Sequence, residues 1–286
     1  MRALLPIAML TLSLSGQTFE QMPDYSDVEA QKQEPFRIFD NLYFVGVKRV
    51  GVHLLKTSEG LILLDTGLDH LAGQVLDNIR KLGFRPTDIK YIFLSHYHFD
   101  HAGGAKRMRE ASGAKVGLGA EDWPLFAKGE SLQVQRKGPS YVLPVFPLDI
   151  AIKDGDSITL GDTTVRFIAT PGHTPGVRSF EYTVWDGGKP YKAVTFGGPG
   201  LNARDAENAR KYIDGVRRLT ALKDVQVNIP PHPWHNREFD KAGRLKTRKP
   251  GEPHPFVAPD EWRAWIEDLL AKGQQRLEQV KAKAKN

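Results

Sequence analysis

Between positions 96 and 101 the chain reads His-Tyr-His-Phe-Asp-His, which places four side chains able to bind a metal within six residues. The apolar run at 89–94, Ile-Lys-Tyr-Ile-Phe-Leu, comes directly before it. A buried strand followed at once by such a cluster can only present the cluster at the end of a sheet, so the motif constrains the fold as well as the chemistry. In a chain with nine histidines, composition alone yields this pattern on the order of once in a thousand sequences, so it is read as a site. In an extended or tightly turned segment His96 and His98 point the same way and can clamp one ion. Asp100 and His101, past the bend, face a neighbouring ion. A catalytic zinc takes three protein ligands and keeps one position open, so each ion needs one more ligand from elsewhere in the chain.

Two histidines are placed to supply them: His173 in Thr-Pro-Gly-His-Thr-Pro-Gly at 170–176, and His232 in Pro-Pro-His-Pro at 230–233. Both follow apolar runs and are fixed by prolines and glycines. The positions left open would hold a bridging hydroxide, its pKa lowered towards 7. His53, His70, His235 and His254 are assigned to structure or solvent. The chain has no cysteine, which excludes thiol nucleophiles, thiolate zinc sites and iron–sulfur clusters.

Around these residues the apolar runs alternate in two loosely similar halves. Runs at 36–39, 42–46, 52–57 and 61–65 read as a meander with a turn at 58–60. A helix follows, capped by Asp69, with Leu71, Val75, Leu76, Ile79 and Leu82 on one face and Gly83 past its end. Residues 103–111 look helical. The second half has strands at 149–153, 157–160, 164–169, 177–185 and 192–196, a helix over 205–222 and a strand at 225–229. A C-terminal helix over 259–283 is opened by Pro259 and buries Trp262, Trp265, Ile266, Leu269 and Leu270. Two such α+β halves pack best as sheet on sheet with helices outside, in one domain over 17–286. The stretch 129–147 is either a flap over the substrate or a loop packed on the sandwich.

The first sixteen residues read as a signal peptide. Met1-Arg2 is followed by an apolar run to Leu14 that is too short to span a bilayer, and Ser13 and Ser15 suit a cleavage site, so the mature chain would begin near Gln17. A net charge of +6 comes from scattered residues, without the aromatic interleaving of a nucleic-acid groove, so no nucleic-acid partner is expected. The basic concentration at Lys241, Arg244, Lys246, Arg248 and Lys249 reads as a solvated loop.

Leu-Ile-Leu-Leu-Asp-Thr-Gly at 61–67, the motif at 96–101, Pro-Gly-His-Thr-Pro-Gly at 171–176 and the final His232 together resemble the metallo-β-lactamase superfamily, over nearly all of the chain past its leader. That resemblance implies a four-layer αββα sandwich of the α/β class, with a dinuclear zinc site at one edge between the sheets. Three features are similar to subclass B3 of the class B β-lactamases: a site without cysteine, Asp-Gly-Asp-Ser-Ile-Thr-Leu-Gly at 154–161, and His-Pro-Phe-Val-Ala-Pro at 254–259. Carried over, His96, His98 and His173 would bind the first zinc, and Asp100, His101 and His232 the second. Asp65 would order the ligand loop, although a strand-end aspartate capping a turn would occupy the same place. The activity implied is opening of a β-lactam ring by a zinc-bound hydroxide that Asp100 orients, in the periplasm of a Gram-negative cell. A lactonase or other ester hydrolase is the alternative. No membrane partner is expected once the leader is cleaved, and the sequence does not give the oligomeric state.

One position departs from the pattern. After Ala-Val-Thr-Phe at 193–196, lactonases, glyoxalase-like thioesterases and metallo-nucleases of the superfamily place a carboxylate that bridges both metals, and subclass members active on β-lactams usually have Ser. This chain has Gly198. The missing carboxylate argues against phosphodiesterase and nuclease activity. The missing hydroxyl leaves Arg178, Asn202 or Arg204 to bind a substrate carboxylate.

Overall fold

The apolar runs of the first half form a seven-stranded sheet: β1 (Phe36–Arg37), β2 (Leu42–Phe44), β3 (His53–Thr57), β4 (Gly60–Leu64), β5 (Ile89–Phe93), β6 (Lys115–Gly119) and β7 (Ile150–Ile152), in that spatial order. The first four are antiparallel, and β4 to β7 run parallel. The crossovers carry helices α1 (Ala72–Lys81), α2 (Phe99–Ala102), α3 (Ala105–Ser112) and α4 (Trp123–Ala127), as parallel pairing requires. A second sheet is formed by β8 (Ser157–Leu160), β9 (Thr163–Ala169), β10 (Arg178–Asp186), β11 (Lys189–Thr195) and β12 (Val227–Asn228), in the order β12-β11-β10-β9-β8. Helices α5 (Ala206–Thr220), α6 (Glu238–Thr247) and α7 (Pro259–Lys283) complete the chain. This computed structural model describes residues 22–129, 143–147 and 149–284.

Two-residue alternation explains the layers. On β4, Leu61 and Leu63 join Val75, Ile79 and Met108 under α1 and α3. Ile62 and Leu64 turn the other way, against Phe167, Phe180 and Val184 of the second sheet. Apolar residues on both faces of a strand require cover on both sides. The far face of the second sheet carries Ile168, Val194 and Phe196 and is covered by Tyr212 and Val216 of α5 and by Trp262 and Ile266 of α7. The result is the expected αββα sandwich.

Four local expectations are corrected. The run at 149–153 closes the first sheet as β7 and does not belong to the second half. Asp69 does not cap α1: it lies in a 3₁₀ turn ahead of the helix, and its carboxylate accepts from Arg107 Nε at 2.7 Å. The basic stretch is no solvated loop: Lys241, Arg244 and Lys246 lie in helix α6, where Lys241 is buried and bonded to Glu261 at 2.6 Å, and Arg248 just past the helix pairs with Asp186 at 2.8 Å. The strand at 115–119, absent from the sequence reading, is β6. The expected leader and most of the stretch 129–147 lie outside the described residues. Phe146, from the end of that stretch, packs edge-on against Phe126 with ring centroids 5.3 Å apart.

No helix among the described residues is long and apolar enough to cross a membrane. The two sheets meet at one end through bare main chain. Gly119 at the end of β6 backs onto the Gly176 carbonyl ahead of β10, and within the second sheet Gly197 after β11 backs onto the carbonyl of Arg178 on β10, so a Cβ on either glycine would overlap backbone.

Candidate metal centre

Each residue of the centre follows the carboxyl end of a strand: Asp65 after β4, His96 and His98 after β5, His173 after β9 and His232 after β12. Asp100 and His101 lie on the short helix α2. One ligand atom from each of His96, His98 and His173 falls within 4.8 Å of the others, and the same holds for His96, Asp100 and His101, so His96 stands between the two groups. His232 joins from the far side, with Nε2 3.8 Å from Asp100 Oδ2 and its ring centroid 4.9 Å from that of His101.

The orientation of four of the five imidazoles is set by what takes the nitrogen turned away from the centre; His98 Nε2 is buried with no hydrogen-bond partner among the described residues. His173 Nδ1 is bonded to the Gly200 carbonyl at 2.7 Å and His232 Nδ1 to the Arg49 carbonyl at 2.9 Å. His101 Nδ1 is bonded to Asp65 Oδ2 at 3.0 Å. Ser95 Oγ donates to the same Asp65 oxygen at 2.8 Å and so is left to accept from His96 Nδ1 at 3.0 Å. In all four the free nitrogen is Nε2. Asp65 therefore orders one histidine of each group, directly and through Ser95. Its own backbone is in the left-handed region, at φ 60°, and its Oδ1 accepts from Ser95 N at 2.7 Å.

These atoms suit a metal. His96 Nε2 and His98 Nδ1 face each other at 3.1 Å, and Asp100 Oδ2 lies 3.5 Å from His101 Nε2. Ligands about 2.1 Å from a tetrahedral zinc stand about 3.4 Å apart. Protonation leaves the lone pairs available: burial, with the neighbouring histidines, holds His96, His98 and His232 well below the ordinary imidazole value, and burial takes His173 down to about 4. His101 moves the other way, because Asp100 and Asp65 outweigh its burial. Asp100 is held below the usual carboxylate range by His101, His232 and His98 despite being buried.

Two more residues shape the centre and were not legible in the sequence. Asp122, fully buried, accepts from Thr174 Oγ1 and Gly176 N at 2.6 Å each and from Tyr97 N at 3.2 Å. It thereby ties the loop of His96 and His98 to that of His173. Burial raises its carboxyl to about 6 against those bonds. Trp234 stacks on the His232 ring with centroids 4.3 Å apart. The only sequence cue to either is position, a few residues past a strand end or a ligand.

Of the residues expected to bind a substrate carboxylate, Arg178 is not in the cleft. It is fully buried, and its guanidinium bonds to Glu121 at 2.6 Å, to the Ile152 carbonyl at 2.9 Å and to the carbonyls of Gly176 and Val177 at 3.3 Å. The Asn202 amide lies 3.0 Å from His173 Nδ1, on the side of the ring turned away from the other ligand atoms. Arg204 is exposed on the same loop. Gly198 lies under His173: a Cβ there would stand 2.9 Å from His173 Cβ and from Val177 Cγ2. The remaining histidines are structural. His53 pairs with buried Glu238 at 2.9 Å, His254 bonds to the Ile38 carbonyl, His70 bonds to the Tyr25 carbonyl, and His235 packs against Trp265.

The fold and these paired histidine-rich groups define a metal-binding hydrolase, and known proteins give it a family. The profile of the metallo-β-lactamase superfamily matches residues 46–184. The chain is similar in structure to a subclass B3 metallo-β-lactamase of Bradyrhizobium japonicum, at 34% identity and a TM-score of 0.79, covering 89% of this chain and 97% of that one. In sequence it is similar to an N-acyl homoserine lactonase of a Bacillus species, 31% identical over 155 residues, and to a hydroxyacylglutathione hydrolase of Cereibacter sphaeroides, 30% identical over 184 residues. Those two matches cover 46% and 63% of this chain, and span 56% and 61% of the relatives' own lengths. The chain belongs to the metallo-β-lactamase superfamily.

Proposed function

We propose that the protein is an exported hydrolase that opens the β-lactam ring on a pair of zinc ions. Gly198 carries this reading over the lactonase and thioesterase alternatives. The position holds no carboxylate, whereas the family resemblance associates those activities with one that bridges both metals; a Cβ there would press on His173 and Val177, against a serine as much as an aspartate. The near-complete coverage of the Bradyrhizobium β-lactamase, against little more than half of the Bacillus lactonase, points the same way.

His96, His98 and His173 would hold one ion as neutral imidazoles, and Asp100, His101 and His232 the other. Zinc bound there supplies a Lewis acid for the carbonyl oxygen and brings the pKa of water towards neutrality. The chain's own contribution is orientation. Asp100 stays ionised beside His101 and His232, where its carboxylate can accept a hydrogen bond from attacking water and direct the lone pair at the carbonyl. Arg204, exposed beside Asn202, is the remaining cation on that loop for a substrate carboxylate. The leader at 1–16 and a periplasmic location belong to the same proposal, and the mass of the secreted protein tests them: an intact Met1 would rule cleavage out.

The deciding experiment compares zinc-loaded protein on a chromogenic cephalosporin, a homoserine lactone and a glutathione thioester. The cephalosporin is expected to exceed the others in kcat/KM by at least about tenfold. Equal or faster turnover of the lactone would transfer the proposal to the ester-hydrolase reading.

A further inference from the structure

One contact reaches the centre from well before its other residues in sequence. Tyr25 Oη donates to Asp100 Oδ2 at 2.9 Å. That oxygen is the one lying 3.5 Å from His101 Nε2 and 3.8 Å from His232 Nε2, so the phenol fixes the atom that faces the second group. It is the only hydrogen bond of the Asp100 carboxylate among the described residues. Without it the carboxylate sits on a four-residue helix with its rotation set by ion pairs alone.

Tyr25 is itself held on several sides. Its ring lies under the Arg49 guanidinium at 4.5 Å and edge-on to Phe99 at 5.4 Å, and its carbonyl is bonded to His70 Nε2 at 2.9 Å. Arg49 Nη1 donates to the Pro23 carbonyl at 2.9 Å, and Gln31 Nε2 donates to the carbonyls of Pro23 and Asp24 at 3.0 Å each. Arg49 N donates in turn to Gln31 Oε1 at 3.1 Å. Arg49, buried at 4% exposure, has its carbonyl on His232 Nδ1. One residue thus supports His232 through its backbone and, through its side chain, the tyrosine that supports Asp100.

We propose that residues 22–32 form a strap that completes the second group, with Tyr25 as the positioning residue for Asp100; the inference rests on the two-zinc reading. A hydrogen bond that orients a metal-binding carboxylate raises affinity by sparing it the search for its rotamer. The second ion's affinity should therefore depend on a segment about seventy residues away in sequence, and the first ion's should not.

The test is a zinc titration of the full chain against a chromophoric chelator, with thermal unfolding of the metal-free form alongside. Tyr25→Phe keeps the ring on Arg49 and removes the donor. It should weaken the second ion by about 10- to 100-fold, leave the first ion unchanged and lower the metal-free melting temperature by no more than about 5 °C. Gln31→Ala, which loosens the strap, should shift the second ion in the same direction, and the double variant should lose no more than Tyr25→Phe alone. Wild-type affinities for both ions in Tyr25→Phe would overturn the inference while leaving the two-zinc reading intact. An equal loss of both ions together with a larger drop in the metal-free melting temperature would also overturn it, by making the role purely structural. A wild-type chain that binds only one ion would overturn both.

Discussion

The two candidate ligand groups of this centre are supported in different ways. His96, His98 and His173 sit on loops from the two sheets that one buried carboxylate, Asp122, stitches together through Tyr97, Thr174 and Gly176. Asp100, His101 and His232 are each held from a separate and distant part of the chain: Tyr25, Asp65 and the Arg49 carbonyl. The first group is stiff wherever the sheets are correctly packed. The second is assembled from the amino-terminal region inward, so its affinity for a metal can change without disturbing the first. Asp65, which touches His101 and reaches His96 through Ser95, is where the two cease to be independent.

The largest expected effect comes from removing a ligand of the stiff group. His98→Ala should lower hydrolysis by about a thousandfold or more by taking away an ion, while metal-free unfolding by urea shows a loss of no more than about 2 kcal/mol. A collapse of the metal-free fold would mean that the first group also carries the packing. Next is Asp65→Asn, expected to weaken both ions by roughly 10- to 100-fold, whereas Asp122→Asn should weaken only the first. Zinc titrations in which the two variants behave alike would erase the distinction drawn here.

Acid should act on the metal-free protein through the buried histidines. His96, His98, His173 and His232 have folded pKa values below the ordinary 6.5, so below that pH the unfolded chain binds more protons and stability falls as pH drops. Each contributes roughly 1.4 kcal/mol per pH unit between its unfolded and folded values, down to about 4 for His173. His101, shifted upward, has the opposite sign: its contribution is complete below 6.5 and is lost as pH rises through its folded value. Urea midpoints with chelator present should therefore decline from pH 7 to pH 4.5, and midpoints that stay flat would contradict the depressed values. The smallest effect on catalysis should come from Arg178→Ala. It is expected to cost roughly 2–4 kcal/mol of stability by leaving bonded carbonyls without their donor, with KM for a β-lactam within about twofold of wild type. A selective rise in KM would return Arg178 to the cleft.

The candidate ligands are legible in the sequence because a metal site at strand ends needs histidines next to residues that stop strands, and Pro171, Gly172, Pro230 and Pro231 mark those stops. The expectation that Arg178 binds a substrate carboxylate fails because it leaves out the strand register. Alternation would have placed it: Arg178 shares a strand face with Phe180, Tyr182 and Val184, which lie between the sheets. Helix α6 was hidden by its charge, although Phe239, Ala242 and Leu245 recur at helical spacing. The strand β6, Lys-Val-Gly-Leu-Gly, carries two glycines, which weaken strand propensity and are there for close packing. Tyr25 leaves no local trace and Asp122 only its place past a strand end, since what makes them part of the centre is a contact with residues 75 and 52 positions away.

The main-chain junction at Gly119 and Gly197 has a consequence for how this centre can change over generations. Any substitution at either glycine drives a carbon into facing backbone, the loop before β10 for Gly119 and β10 itself for Gly197, so single nucleotide changes there are closed to a lineage under selection for activity. The rim residues have no such constraint: Asn202 and Arg204 are exposed, and Trp234 is half-exposed. New substrates would have to be acquired by trading side chains at the rim above a floor that tolerates no trade. Divergence in specificity between this chain and its relatives should accordingly be written in the loops after β11 and β12.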